Sequence, residues 1–264
     1  MRKVQLILAA GAASALTAMV SLVGMAGAEP NVVPANTEAP AVVGTAQDGE
    51  LVVAKDGEWS GTNPMSFTYQ WQRCDGNGAN CASIAGATAK TYRVATADVD
   101  HRLKVQVTAR NVTGTDTATS RGSSSVARPA GATRLSDGRY SIPTTSVHLP
   151  ERLVISGLEF APRVLTSRQP FTGRFRVTDT RGYVVRDAIV LVTGVPLGWI
   201  QQPQEAKTNV DGLVTMQLQP TKFLRLVRGG SMVMFIRARK DGDSILAGIS
   251  TRRLVRVRTA RAST

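Results

Sequence analysis

The sequence is poor in the residues that most reactions need. Its 264 residues include two histidines, two cysteines and an aromatic share of 5%. His101 and His148 stand apart, neither at metal-ligand nor at triad spacing, and both read as surface residues. There is no G-x-S-x-G, no H-E-x-x-H and no phosphate-cradling glycine loop. Catalysis requires placed acids, bases or nucleophiles, so the expectation is a non-enzyme with no catalytic residues, no bound metal and no cofactor. Asp98 with Asp100, and Asp241 with Asp243, are close enough for weak calcium sites. Calcium takes about six to eight oxygens, however, and turn-forming aspartate is the better reading at both places. Trp59, Tyr183 and Trp199 fall near turns but are too scattered to form a stacking platform. No long amphipathic helix and no low-complexity block is present. Beyond the N-terminus no apolar segment is long enough to span a bilayer, so the mature chain is expected to lack a transmembrane span.

Met1-Arg2-Lys3 is a short positive region, Val4 to Gly24 is uncharged and rich in Ala, Leu and Val, and Ala26-Gly27-Ala28 is an A-x-A cleavage site. Residues 1–28 therefore read as a secretory signal peptide, with an uncleaved anchor as the alternative. No cysteine lies near the cleavage site, which argues against a lipoprotein, and no sortase-type tail is evident. Export gives the cysteines a role. Cys74 and Cys81, seven positions apart, are expected to form a disulfide. Closing so short a loop contributes about 2.5 kcal/mol in the chain-entropy view.

The formal net charge is +13, and it is unevenly placed. Residues 29–130 hold nine Lys/Arg against ten Asp/Glu, whereas residues 131–264 hold 21 against nine.

The stretch Phe67-Thr-Tyr-Gln-Trp-Gln-Arg-Cys74 alternates aromatic and polar residues, the period of a half-buried strand. Short strands are expected at 40–45, 50–55, 81–84, 91–94 and 103–109, with a polar final strand over 115–126. Gly57 to Gly61 is expected to be a loop. Strands punctuated by turns at this spacing indicate a β-sandwich. Arg128-Pro-Ala-Gly-Ala132 and Ser136-Asp-Gly138 look like a linker. Strands then resume at 153–158, 171–178, 183–193, 212–218, 232–240 and 244–257, with turns at Thr180-Arg-Gly182, Val210-Asp-Gly212 and Asp241-Gly-Asp243. The expected architecture is all-β: a signal peptide (1–28), a sandwich domain (29–130), a linker (131–141) and a second, strongly basic sandwich (142–264).

Two resemblances bear on this. The ordered set Tyr69-Gln-Trp-Gln-Arg-Cys74, Cys81, Ala87-Thr88, Tyr92, Ala97-Asp98 and Val107-Thr-Ala-Arg-Asn111 with Gly114 resembles the immunoglobulin-like repeats of secreted bacterial proteins. Trp71 would be the core tryptophan. The inter-sheet disulfide of antibody domains is absent, because both cysteines flank one loop. Further on, Val177, Asp179, Gly182, Val185, Ala188 and Val190, then Thr208, Gly212 and Thr215, resemble the paired hairpins of bacterial Ig-like and carboxypeptidase-regulatory-like modules. Both resemblances imply non-catalytic spacers or adhesive modules of the cell surface or extracellular space.

Arg174 with Arg176, Arg237 with Arg239, and Arg256 with Arg258 are spaced two apart on expected strands, so each pair should face one way. If those strands share a sheet, one face becomes a guanidinium array suited to phosphate or carboxylate. The possible partners are then a protein or an anionic envelope polymer: wall polymer, acidic polysaccharide, lipid headgroup or extracellular DNA. The alternative is a solvated basic face. Asn111-Val-Thr113 matches a glycosylation sequon, which carries little meaning in a bacterium. Mass spectrometry of the secreted chain is expected to find Glu29 at its N-terminus; Met1 still attached would rule out the export reading.

Overall fold

The structure is a computed structural model that describes residues 31–243 and 248–261. The expected signal peptide lies outside the described residues. The described residues are nearly all β, with two single 3-10 turns among them at Thr96–Asp98 and Thr144–Ser146.

The first unit contains β1 (Ala35–Glu38), β2 (Ala41–Val43), β3 (Leu51–Lys55), β4 (Glu58–Ser60), β5 (Ser66–Cys74), β6 (Ala82–Ser83), β7 (Thr91–Arg93), β8 (Arg102–Arg110) and β9 (Thr115–Thr119). One sheet runs β2-β3-β7, the facing sheet β6-β5-β8-β9, and β1-β4 is a separate ribbon. Lettered in chain order, these are A-B-E against C′-C-F-G, the immunoglobulin division of strands. Alternation builds the core. Val52 and Ala54 point inward from β3, and Leu103, Val105 and Val107 from β8, around the fully buried Trp71. The Trp71 indole stacks on Tyr92 at 5.5 Å and donates to the Ala89 carbonyl. Cys74 and Cys81 are disulfide-bonded.

The second unit contains β10 (Thr133–Arg134), β11 (Tyr140–Pro143), β12 (Leu153–Ala161), β13 (Val164–Leu165), β14 (Phe171–Asp179), β15 (Val184–Arg186), β16 (Ile189–Val195), β17 (Ala206–Lys207), β18 (Leu213–Leu218), β19 (Gly230–Arg239) and β20 (Thr251–Thr259). In one sheet β14 lies between β12 and β18, and β15, β11 and β10 extend it; the other runs β13-β20-β19-β16-β17. The order is again A-B-E against A′-G-F-C-C′, with β13 parallel to β20. Phe171, Phe175, Leu153, Met232, Met234 and Ile236 fill the space between the sheets. Gly173 is required in this core, because a Cβ there would sit 2.7 Å from the Phe175 ring.

Five expectations need correction. Glu58–Ser60 is a strand instead of a loop: it pairs with β1, and the Asn36 side chain bridges the Glu38 and Glu58 carbonyls. The strand expected over 115–126 stops at Thr119. Beyond it the Ser120 and Ser123 hydroxyls accept from the Val105 and Leu103 amides, so side chains take over part of the ladder. The strand expected over 183–193 breaks into β15 and β16, which belong to different sheets. Asp187 sits at φ 63°, and the Thr208 hydroxyl fills the break, donating to the Val185 carbonyl and accepting from the Ala188 amide. The strand expected over 244–257 begins only at Thr251, and residues 244–247 lie outside the described residues. The segment read as a linker, 131–141, carries β10 and the start of β11, paired into the second unit's sheet.

Candidate functional site

The basic residues singled out in the sequence do not gather on one face. Arg174 and Arg176 lie on β14 in one sheet, and the other four lie on β19 and β20 in the facing sheet. The shared-sheet condition for a six-arginine array is therefore not met. Arg174 is exposed and sits opposite Glu159 across the β12–β14 pair. Arg176 is half-buried, and its Nε has no hydrogen-bond partner among the described residues. Arg237 is buried beside Leu191 and Arg252 on the neighbouring strands, which removes it from any surface array. Arg239 is held by Glu205, Nη2 to Oε2 at 2.5 Å. Arg256 and Arg258 are exposed and line one edge of the second unit. Among them the outer face of β16, β19 and β20 also carries apolar side chains: Leu254 is 66% exposed, with Phe235 and Leu191 half-buried beside it.

Where the two units meet, the structure assembles a polar cluster that no single stretch of the sequence announces. Asp48 lies in the turn between β2 and β3, Asp179 ends β14, and Arg181 and Tyr183 lie in the turn between β14 and β15. Three are buried, Asp48 at 3% exposed, Asp179 at 2% and Tyr183 at 7%, and the Arg181 side chain is 9% exposed. The local reason is turn chemistry. Asp179 Oδ1 accepts from the Arg181 and Tyr183 amides at 3.0 and 2.9 Å, an Asx-type turn closed by Gly182 at φ 95°. That turn aims Arg181 and Tyr183 at the first unit. The Tyr183 hydroxyl donates to Asp48 Oδ2 at 2.8 Å. Arg181 donates from Nε to Asp179 Oδ2 at 2.8 Å and from Nη1 to the Asp48 carbonyl at 3.1 Å. The same Nη1 lies 3.6 Å from Asp48 Oδ1. Gly49 is required here, because a Cβ on it would stand 2.5 Å from that nitrogen.

A second contact flanks the first. The Arg128 guanidinium lies 4.2 Å from the centre of the Tyr140 ring and pairs with Asp100, Nη2 to Oδ2 at 2.8 Å. The first unit repeats the same chemistry internally. Asp98, completely buried, accepts from Arg73 Nε at 2.6 Å, the Tyr92 hydroxyl at 2.8 Å and the Ala95 amide at 2.8 Å. Burial pushes the phenols of Tyr92 and Tyr183 above the ordinary tyrosine range, and the bonded carboxylate adds to the shift. Burial also pushes the Asp179 carboxyl up, against the opposing pull of Arg181 and the turn amides.

Beside the joint runs a cleft of about 440 Å³ lined by Glu50, Arg93, His148, Glu151 and Arg181 among others. Most of its polar groups are already engaged. Arg93 donates to the Gly49 carbonyl, Glu151 accepts from Thr180, and Arg181 is held as above. His101 lies elsewhere, its Nδ1 2.9 Å from the Val99 carbonyl. Among the described residues no group of three or more His, Cys, Asp or Glu could hold a metal ion. The Asn111 amide of the sequon is buried and donates to the Val32 and Thr62 carbonyls, so a glycan on that nitrogen would break the contacts.

No protein-family model and no curated protein matches this chain. Solved structures that align with it include a three-domain fragment of titin, at 16% identity over 83% of this chain and 64% of that one, with a TM-score of 0.26. The D00-D0 domain of intimin aligns at 12% identity over 82% and 98%, with a TM-score of 0.30. Four N-terminal Ig domains of Dscam1 align at 9% identity over 89% and 47%, with a TM-score of 0.26. Overlaps this shallow carry no weight beside the strand order, which is what defines the fold.

Two outcomes follow from the joint. Arg181→Ala would leave two buried carboxylates facing each other without their cation, and is expected to lower stability by about 3–5 kcal/mol in denaturant unfolding; a loss below about 1 kcal/mol, the worth of a surface pair, would mean the cluster is hydrated. The raised phenols set a pH window. The native state keeps those protons after the unfolded chain starts to lose them near pH ~10, so their stabilisation is complete below that pH and is lost as pH rises further. Urea midpoints should fall above pH ~10, and Tyr183→Phe should flatten part of that fall. A wild-type midpoint that stays level through that range would contradict the burial of both phenols.

Proposed function

We propose that this chain is an exported, non-catalytic immunoglobulin-like protein of the cell surface or extracellular space, working as a rigid spacer or interaction module. The observation that carries the reading is the buried joint of Asp48, Arg181, Asp179 and Tyr183. Two tethered sandwiches move freely unless the surfaces between them are costly to separate. Here separation would expose a tyrosine hydroxyl, a guanidinium and a carboxylate that are bonded only in one arrangement. A fixed angle is of use to a spacer that must present its far end at a set position.

Export is supported by the disulfide Cys74–Cys81, a bond that persists in oxidising compartments, and by the leader-like N-terminal sequence. Among the described residues no helix is long and apolar enough to cross a membrane. A second reading, capture of an anionic envelope polymer by the basic unit, draws support from Arg256 and Arg258, which are exposed and without a carboxylate partner among the described residues.

Small-angle X-ray scattering on the mature chain tests the spacer reading. The wild-type curve should fit one fixed arrangement of the two units, and Arg181→Ala should require a spread of angles. A wild-type curve that already requires a spread would defeat it.

A further inference from the structure

The end of the second unit farthest from the joint is the most unusual surface of the molecule. The nine-residue strand β14 runs from Asp179 at the joint to Phe171, which places this tip roughly 30 Å away at 3.3 Å per residue. Three loops form the tip. Residues 162–170 join β12 and β13 to β14, residues 196–205 follow β16, and residues 219–229 join β18 to β19. They are fastened together. The Thr221 amide donates to the Trp199 carbonyl at 2.9 Å and its hydroxyl to the Gly198 carbonyl at 2.5 Å. The Arg168 guanidinium donates to the Leu224 carbonyl at 2.9 Å.

This tip exposes large apolar side chains that a folded surface ordinarily hides: Leu197 is 78% exposed, Phe223 63% and Val227 53%. Around them stand Arg163, Arg168, Lys222, Arg225 and Arg228, all exposed. The three loops hold a single acid, Glu205, the last residue before β17, and it is paired with Arg239. The Lys222 ammonium lies 5.4 Å from the Phe223 ring centre, so charge and ring project together. Trp199, half-buried in the same loop as Leu197, packs against the core.

We propose that this tip docks on an anionic lipid surface, with Leu197, Phe223 and Val227 entering the headgroup–acyl boundary and the cations meeting the headgroups. Charge complementarity fixes the sign of the partner. Shape selects a lipid phase over a folded acidic protein. The apolar side chains stand outward on two loops, and none of them lines the cleft beside the joint or the hollow between Val164, Gly229 and Arg258. Protruding apolar groups ringed by cations suit a deformable apolar medium, whose affinity comes from buried apolar area plus electrostatic attraction. The lysine and arginine stems reach back to the headgroups while the rings go deeper. The proposal goes beyond the spacer reading, and the two stand or fall separately: the joint sets rigidity, the tip sets what is touched.

The test is co-sedimentation of the full exported chain with vesicles of phosphatidylcholine alone or mixed with phosphatidylglycerol. Binding to the mixed vesicles and much weaker binding to the neutral ones is expected. A Leu197→Ser/Phe223→Ser variant should bind the mixed vesicles about tenfold less tightly, and a Lys222→Gln/Arg225→Gln/Arg228→Gln variant about a hundredfold less tightly. Both sets are exposed, so thermal unfolding should stay at the wild-type temperature and report that the fold is intact. Lipids brominated in the acyl chain should quench Trp199 in the wild type only. No sedimentation with mixed vesicles would overturn the proposal. So would equal binding to neutral vesicles, and so would binding that the Leu197→Ser/Phe223→Ser variant retains in full, which would place the contact on the arginines of β20 instead.

Discussion

The arrangement of the two units depends on one buried charge cluster. Asp48 and Asp179 approach from opposite units, and Arg181 is the cation that lets both stay buried. Burying three charges is costly, and well-packed apolar residues would often stabilise as much or more. What apolar packing would lack is direction. A greasy contact tolerates sliding, whereas the Tyr183 hydroxyl, the Arg181 fork and the Gly49 backbone meet only at one angle. The same tyrosine–aspartate–arginine grouping in the first unit, Tyr92 with Asp98 and Arg73, fixes a loop to a sheet within one sandwich. One chemical device therefore locks structure at two scales.

This changes the meaning of the arginine excess. Many of these guanidiniums serve the fold by closing backbone carbonyls that strands and turns leave open. Arg186 donates to the Ser141 and Gly131 carbonyls and ties β11 to the segment entering the second unit. Arg253 reaches the Ile155 carbonyl and bridges the β20 and β12 edges of the two sheets. Arg152 holds the Gly248 carbonyl, and Arg102 those of Gly76 and Ser123. A planar fork with five donors suits this work, because backbone carbonyls carry no countercharge and leave the cation fully positive. The second unit thus stays strongly basic even where its arginines are structural, and net charge alone cannot mark which of them face a partner.

The fold was legible in the sequence wherever one residue's neighbours decide its state. The alternation of Phe67, Tyr69 and Trp71 announced β5, and Leu103 to Ala109 announced β8, because a period of two is a local property. The turns at Gly182 and Gly212 were legible for the same reason. What failed was anything set by distant groups. The break at Asp187 depends on the Thr208 hydroxyl twenty-one positions later, and β4 depends on Asn36. Arg237 was placed on the right strand, yet its neighbours across the sheet buried it. Asp48 and Arg181 each looked like ordinary turn residues, and only the folded chain brings them together.

The two ends of the second unit show how this division of labour is arranged. At the joint two buried carboxylates, Asp48 and Asp179, share one cation, Arg181. At the tip the only acid in the three loops, Glu205, is taken by Arg239, and Leu197, Phe223 and Val227 are exposed among the cations. An exposed apolar tip weakens solubility and adds nothing to the core, and patches of this kind mark interaction sites. Folding the tip back onto the first unit about the joint would require unpairing Tyr183 from Asp48.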